Sequence, residues 1–163
     1  QEKICLEYFH KNNLNIIILR SFPHTGPGQR SDFVCSSFAK QLAEIEVGKR
    51  KLLFVGNLDS RRDFIDVRDV VKAYALSLER CKIGEIYNVC SGKEISIKEI
   101  LDVLISFSNK KIQVKQDPKR MRPTDIPLLL GDNSKFNKCT NWIPLISLGQ
   151  SLKDTLNYWR GII

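Results

Sequence analysis

The sequence predicts an α/β fold on three observations. Short β-branched runs such as "NIIIL" alternate along the chain with stretches whose apolar residues recur every three to four positions. Ser or Asp residues that can cap a helix stand immediately before several of those stretches. The intervals between them, "SFPHTGPGQRS" above all, are rich in proline and glycine and read as loops. The 163 residues amount to about one domain, and 42% hydrophobic with 27% charged residues is an ordinary globular balance.

Taken in order, "QEKICLEYFHK" reads as the middle of an amphipathic helix with no start methionine and no cap ahead of it, so the chain is expected to begin partway through a larger protein. It lacks the apolar core and cleavage site of a signal peptide. "NLNIIILR" resembles a strand buried on both faces of a parallel sheet. A helical pattern runs from Asp32 through Phe33, Val34, Phe38, Leu42 and Ile45 to a stop at Gly48. "KLLFVG" and "RRDFIDV" are strands, and Asp66 caps a helix from Val67 to Arg80 whose buried face is expected to carry Val70, Val71, Tyr74 and Leu78.

"EIYNV" is a further strand and "SGKE" a turn. Ser96 and Glu99 then form a capping box for a helix reaching Phe107. "KIQVKQ" is a strand, "DPKRMRPTDIP" an exposed basic loop and "LLLGD" a short strand. Ser147 with Gln150 predicts a second capping box, for a last helix ending near Arg160.

Cys5, Cys35, Cys81, Cys90 and Cys139 are odd in number and contain no CxxC pair, which predicts free thiols in a reducing cytoplasm and no metal site. No apolar run approaches the ~20 residues that span a bilayer, so no membrane partner is expected. The formal charge of +8 favours an anionic partner. No aromatic residues interleave the basic ones of "KRMR", which argues against a nucleic-acid surface.

The chain holds no GxGxxG turn, P-loop or nucleophile elbow, and His10 and His24 have no acid at useful spacing, so no complete catalytic set is present. It does place Arg20, Arg62 and Arg122 on segments that border strands. Ligands of open α/β sheets bind beyond the carboxyl ends of strands, and a guanidinium fork suits a diphosphate. The competing reading of each arginine is a surface ion pair. Asp125, three residues after Arg122, is placed either to accept from a ribose hydroxyl or a base amine or to orient Arg122.

The segments "FPHTGPGQRSDFV", "RRDFIDVRDV", "GEIYNVCSGKEISIKEIL" and "RMRPTDIPLLLGDNSK", with "NWIP" and "YWR", resemble in this order the carboxyl-terminal half of extended short-chain dehydrogenases acting on nucleotide sugars. Within that superfamily the likeness is to the GDP-6-deoxy-4-keto-mannose reductase and GDP-mannose 4,6-dehydratase family, and it covers essentially the whole chain. It implies the carboxyl-terminal part of a Rossmann-type fold with a small α/β substrate-binding lobe. Residues 1–20 and 61–95 would belong to the Rossmann side, and 21–60 with 96–163 to the nucleotide-sugar lobe.

The resemblance also implies roles. Arg62 would contact the nucleotide part of a GDP-sugar, Arg122 and Asp125 would grip its diphosphate and ribose, and Phe33 and Val34 would approach the base. Trp142, Pro144 and Trp159 match structural hallmarks. NADP or NAD would be held mainly by a preceding half, with the backbone of Ser21, Phe22 and Pro23 as the contribution from this chain. The family's Tyr-x-x-x-Lys pair would lie before Gln1, so the chain alone is expected to be inactive. Pro23 stands where the family usually has an asparagine that reaches the substrate.

The implied activity of the complete enzyme is hydride transfer to the C4 ketone of a GDP-sugar in the cytoplasm, in a homodimer. Dehydratase or epimerase chemistry, and a non-catalytic nucleotide-sugar module, are the alternatives. In "RRDFIDVRDV", Arg62 is then expected to face substrate, Asp63 and Asp69 to hold neighbouring cations, and Arg61 to be solvated.

Overall fold

The computed structural model describes residues 1–121 and 125–163. Its elements are α1 (Glu2–Asn12), β1 (Ile18–Ser21), β2 (His24–Thr25), α2 (Val34–Glu46), β3 (Leu52–Val55), β4 (Arg61–Asp63), β5 (Ile65–Asp66) and α3 (Val67–Arg80). There follow β6 (Ile86–Val89), β7 (Glu94–Ser96), α4 (Ile97–Ser106), β8 (Gln113–Gln116), a 3-10 turn at Pro118–Arg120, β9 (Leu128–Leu129), α5 (Ser134–Thr140) and α6 (Leu148–Arg160). The α/β class read from the sequence is the class observed.

The strands form four small sheets. β1 pairs with β6, β2 with β5 and β3 with β8, all parallel, while β4 lies between antiparallel β7 and parallel β9. Apolar side chains collect in two clusters. In the first, α2 packs on α4, α6 and β3. There Leu42, Leu53, Ile100, Leu104, Leu152 and Leu156 are fully buried, each contributing roughly 1.5–3 kcal/mol relative to exposure. The second joins Ile65, Val70, Ala73, Tyr87, Val89, Phe136 and Trp142. Its rings meet edge to face, Phe136 with Trp142 at 5.4 Å and with Tyr87 at 6.1 Å between centroids.

Local signals placed the helix starts well. The Asp66 carboxylate accepts the Arg68 amide at 2.8 Å. Ser96 and Glu99 close a reciprocal box, with bonds of 3.1 and 2.8 Å. The second box is one-sided: Ser147 accepts the Gln150 amide at 3.2 Å, but the Gln150 side chain donates to Asp154. Helix α2 begins two residues later than Asp32, with Phe33 at its N-cap and no side-chain hydrogen bond there.

Several expectations are corrected. Strand β1 is half-buried rather than buried on both faces, and β6 is its one partner among the described residues. The run "RRDFIDV" is two short strands broken at Phe64. On α3 the buried face is Val70, Ala73 and Ser77, whereas Val71, Tyr74 and Leu78 are 62%, 47% and 82% exposed. The small side chains lie inward because α5 packs closely on that face. Helix α5 and strand β7 carried no signal strong enough to be read.

The charges of the opening run are corrected too. Asp63, fully buried, holds no cation among the described residues: it accepts from the Ser91 amide and hydroxyl at 2.8 and 2.6 Å, the Gly92 amide at 2.9 Å and the Gly131 amide at 3.3 Å. Asp69 chiefly holds backbone, accepting from the Leu145 and Ile146 amides at 2.9 and 2.8 Å, with the Lys72 ammonium 3.5 Å away. Arg61 is ion-paired with Glu94 at 2.9 Å and lies 3.6 Å from Glu99.

Candidate functional site

A cleft of about 1070 Å³ opens where the loop after β1, the start of α2, the end of β3, strand β4 and the 3-10 turn converge. Its position follows from the pairing. β1 and β2 deliver residues 21–25 to one wall, while β4, held by β7 and β9, presents Arg62.

Arg62 is fixed in a small polar network. One guanidinium nitrogen donates to Asp125 at 2.5 Å and another to the Arg61 carbonyl at 2.8 Å. The other carboxylate oxygen of Asp125 accepts from Asn57 at 3.0 Å and from the Ser60 hydroxyl. Asn57 also donates to Ser60 at 2.9 Å and accepts the Asp59 amide, an Asx turn that holds the loop after β3 in shape. The hydrogen bond from Ser60 is the main cause that keeps the Asp125 carboxyl below its ordinary value; partial burial opposes it, and Asn57 and Arg62 reinforce it.

Asp125 therefore stays ionised and orients the Arg62 guanidinium, a partner that its position near Arg122 did not indicate. Asn57 and Ser60 were missed, although "GNLDS" straight after a strand is the turn signal that marks them.

Phe33 and Val34 line the cleft at the start of α2, with Phe33 53% exposed. Phe33 supplies no side-chain cap, and the start of this 13-residue helix brings the positive end of its dipole to the same region. Cys35 behind them is no nucleophile. Burial pushes its thiol up to about 12 despite a hydrogen bond with Thr25.

Ser21, Phe22 and Pro23 line the cleft as well. The Phe22 amide is spent on the Val89 carbonyl at 3.0 Å, and proline has none. The Pro23 carbonyl accepts the Ile65 amide at 3.1 Å, so residues 22 and 23 offer the cleft chiefly apolar surface. His24 lines the cleft with Nδ1 3.0 Å from the Phe22 carbonyl.

Of the other predicted cations, Arg20 lies outside the cleft in a two-pronged pair with Glu2, at 2.6 Å for each bond. Arg122 lies outside the described residues. Among the described residues no three His, Cys, Asp or Glu side chains gather as a metal site, and no helix is long and apolar enough to cross a membrane. All five cysteines are free.

An α/β chain whose strand ends and helix start surround one cleft with a fixed arginine has the build of an anion-binding lobe. Comparison with known proteins gives that build a family. The family model described as GDP-mannose 4,6 dehydratase matches residues 1–155. GDP-6-deoxy-D-mannose reductase of Pseudomonas aeruginosa is 36% identical over 160 residues, 98% of this chain and 53% of that protein. GDP-mannose 4,6 dehydratase of Dictyostelium discoideum is 32% identical over 82% of this chain and 42% of its own length.

Among solved structures, RMD from Pseudomonas aeruginosa complexed with NADPH superposes with a TM-score of 0.93 at 34% identity, covering 99% of this chain and 54% of that one. UDP-glucuronic acid 4-epimerase from Bacillus cereus, in complex with UDP-glucuronic acid and NAD, gives 0.88 at 27% identity, covering 99% and 50%. The chain belongs to the GDP-mannose 4,6 dehydratase family of extended short-chain dehydrogenases, and it spans about half the length of the curated relatives it matches.

Proposed function

We propose that this chain is the nucleotide-sugar-binding half of an NAD(P)-dependent GDP-4-keto-6-deoxymannose reductase that works in the cytoplasm. The observation that carries the reading is the cleft itself: Arg62, oriented by Asp125, stands in it together with the uncapped start of α2. The 36% identity to a GDP-6-deoxy-D-mannose reductase across 98% of the chain supports the choice of reaction.

In this reading Arg62 and Arg122 hold the diphosphate, Asp125 keeps Arg62 aimed, and Phe33 with Val34 meet the base. Fixing the diphosphate sets the distance and angle at which the sugar carbon is presented, which is the largest contribution a binding half can make to the rate. A nicotinamide dinucleotide, when bound, supplies the hydride. The segment Ser21, Phe22 and Pro23 is the part of this chain that would lie beside the dinucleotide. Among the described residues no tyrosine or lysine lines the cleft, and the proton donor is assigned to the preceding half.

The division follows the same logic, with residues 1–20 and 61–95 on the cofactor side and 21–60 and 96–163 on the sugar side. Dehydratase chemistry is a second reading, supported by the family model's description and by the Dictyostelium relative.

Calorimetric titration of the 163-residue chain with GDP, UDP and NADPH in separate runs tests the proposal. GDP binding at micromolar strength, with UDP much weaker and NADPH negligible, is the expected result. Equal binding of UDP, or none by GDP, removes it.

A further inference from the structure

Arg62 and Arg30, two of the cations that line the cleft, are each matched by a carboxylate, Asp125 and Asp32 respectively. A third, Arg120, is held differently. It closes the 3-10 turn after β8, and its backbone is locked there. Its carbonyl lies so close to Gly56 that a Cβ on that glycine would be 2.5 Å away.

From this fixed point the side chain crosses to α2, where one guanidinium nitrogen donates to the Ser37 hydroxyl at 3.2 Å. Its carboxylate partner, Asp117, makes a long ion pair, 3.6 Å from Nε and beyond hydrogen-bond range. Ser37 is a neutral partner that orients the fork without cancelling its charge. Arg120 therefore contributes the most loosely matched of these three positive charges, on a side chain 40% exposed.

We propose that Arg120 is a further diphosphate-binding and specificity-determining residue of this cleft, positioned by Ser37 and selecting a diphosphate over a monophosphate. The proposal deepens the nucleotide-sugar reading and rests on it for the identity of the ligand. Arg62 spends one donor on its own chain and another on Asp125, so a doubly charged group has room for a fork beyond those of Arg62 and Arg122. The residue was passed over in the sequence because it sits inside a run of basic residues, "KRMR", with nothing local to single it out.

The test is calorimetry of the 163-residue chain and its Arg120→Ala, Arg120→Lys and Ser37→Ala variants with GDP, GMP, guanosine and inorganic pyrophosphate. Circular dichroism verifies that each variant is folded. Arg120→Ala is expected to weaken GDP and pyrophosphate by roughly 10- to 100-fold, the range for a charged hydrogen bond. GMP should fall less and guanosine not at all. Arg120→Lys should recover part of the loss, and Ser37→Ala should cost several-fold for GDP while leaving guanosine unchanged.

GDP and pyrophosphate affinities within twofold of the parent in a folded Arg120→Ala chain overturn the assignment. Pyrophosphate binding that depends on Arg120 while GDP is ignored keeps the anion site and removes the nucleotide-sugar reading. Failure of the parent chain to bind either removes both.

Discussion

Gln41 of α2 and Phe54 of β3 are joined twice, the Gln41 amide donating to the Phe54 carbonyl at 3.1 Å and its oxygen accepting the Phe54 amide at 2.8 Å. A side chain here stands in for a neighbouring strand along the edge of β3 that β8 leaves open. Replacing it by leucine keeps the volume and leaves two backbone groups without partners. Gln41→Leu is expected to lower stability by about 2 kcal/mol, read as a lower urea midpoint at unchanged slope.

Asp63 ties β4 to the turn before β7 and to Gly131 through four donors. Asparagine would turn one of its acceptor oxygens into a donor facing other donors. Asp63→Asn is expected to cost about 3 kcal/mol, seen in thermal unfolding, and to weaken GDP binding because Arg62 is the next residue along β4.

The Asp125 carboxyl sits below its ordinary 3.8, so its contribution is complete above that value and is lost as the pH falls through the lower folded one. Partial exposure keeps the contribution to about 1 kcal/mol. Stability curves of the parent and Asp125→Asn should run parallel from neutral pH down to 3.8 and converge below it. A gap that persists in strong acid would show that the ionised carboxylate, held by Ser60, Asn57 and Arg62, is not its source.

Burial is the main cause that pushes the thiols of Cys35, Cys81 and Cys90 up to about 12. For Cys81 the neighbouring Cys139, 3.4 Å away between sulfurs, adds to the effect. The thiolate is the reactive form. At mildly alkaline pH iodoacetamide should leave these three unmodified in the folded chain and label them once urea is added, as mass spectrometry would report. Fast labelling of Cys35 in the folded state would contradict its place behind the cleft wall.

Local chemistry made Asp66 and the Ser96–Glu99 box legible, because a cap is decided within four residues. The buried face of α3 was not. Val71, Tyr74 and Leu78 form one stripe and Val70, Ala73 and Ser77 its neighbour, and the positions of α5, β5 and β2 decide which is covered. At the cleft, Arg62 was legible through family likeness, but its bond to Asp125 spans 63 residues and no periodicity foretells it. Arg120 and Ser37, 83 residues apart, were hidden for the same reason.

The two apolar clusters are threaded by alternating segments of chain. Leu19 belongs with the second, Leu42 and Leu53 with the first, Val70 and Val89 with the second, Ile100 with the first, Phe136 with the second and Leu152 with the first. The second cannot close on the ribosome until Trp142 has emerged, and the first waits longer still, for Leu152 and Leu156 of α6. A single protease cut in the loop between α4 and β8 should therefore release no piece that stays folded; both should unravel together, and the nascent chain should depend on holding factors for most of its synthesis.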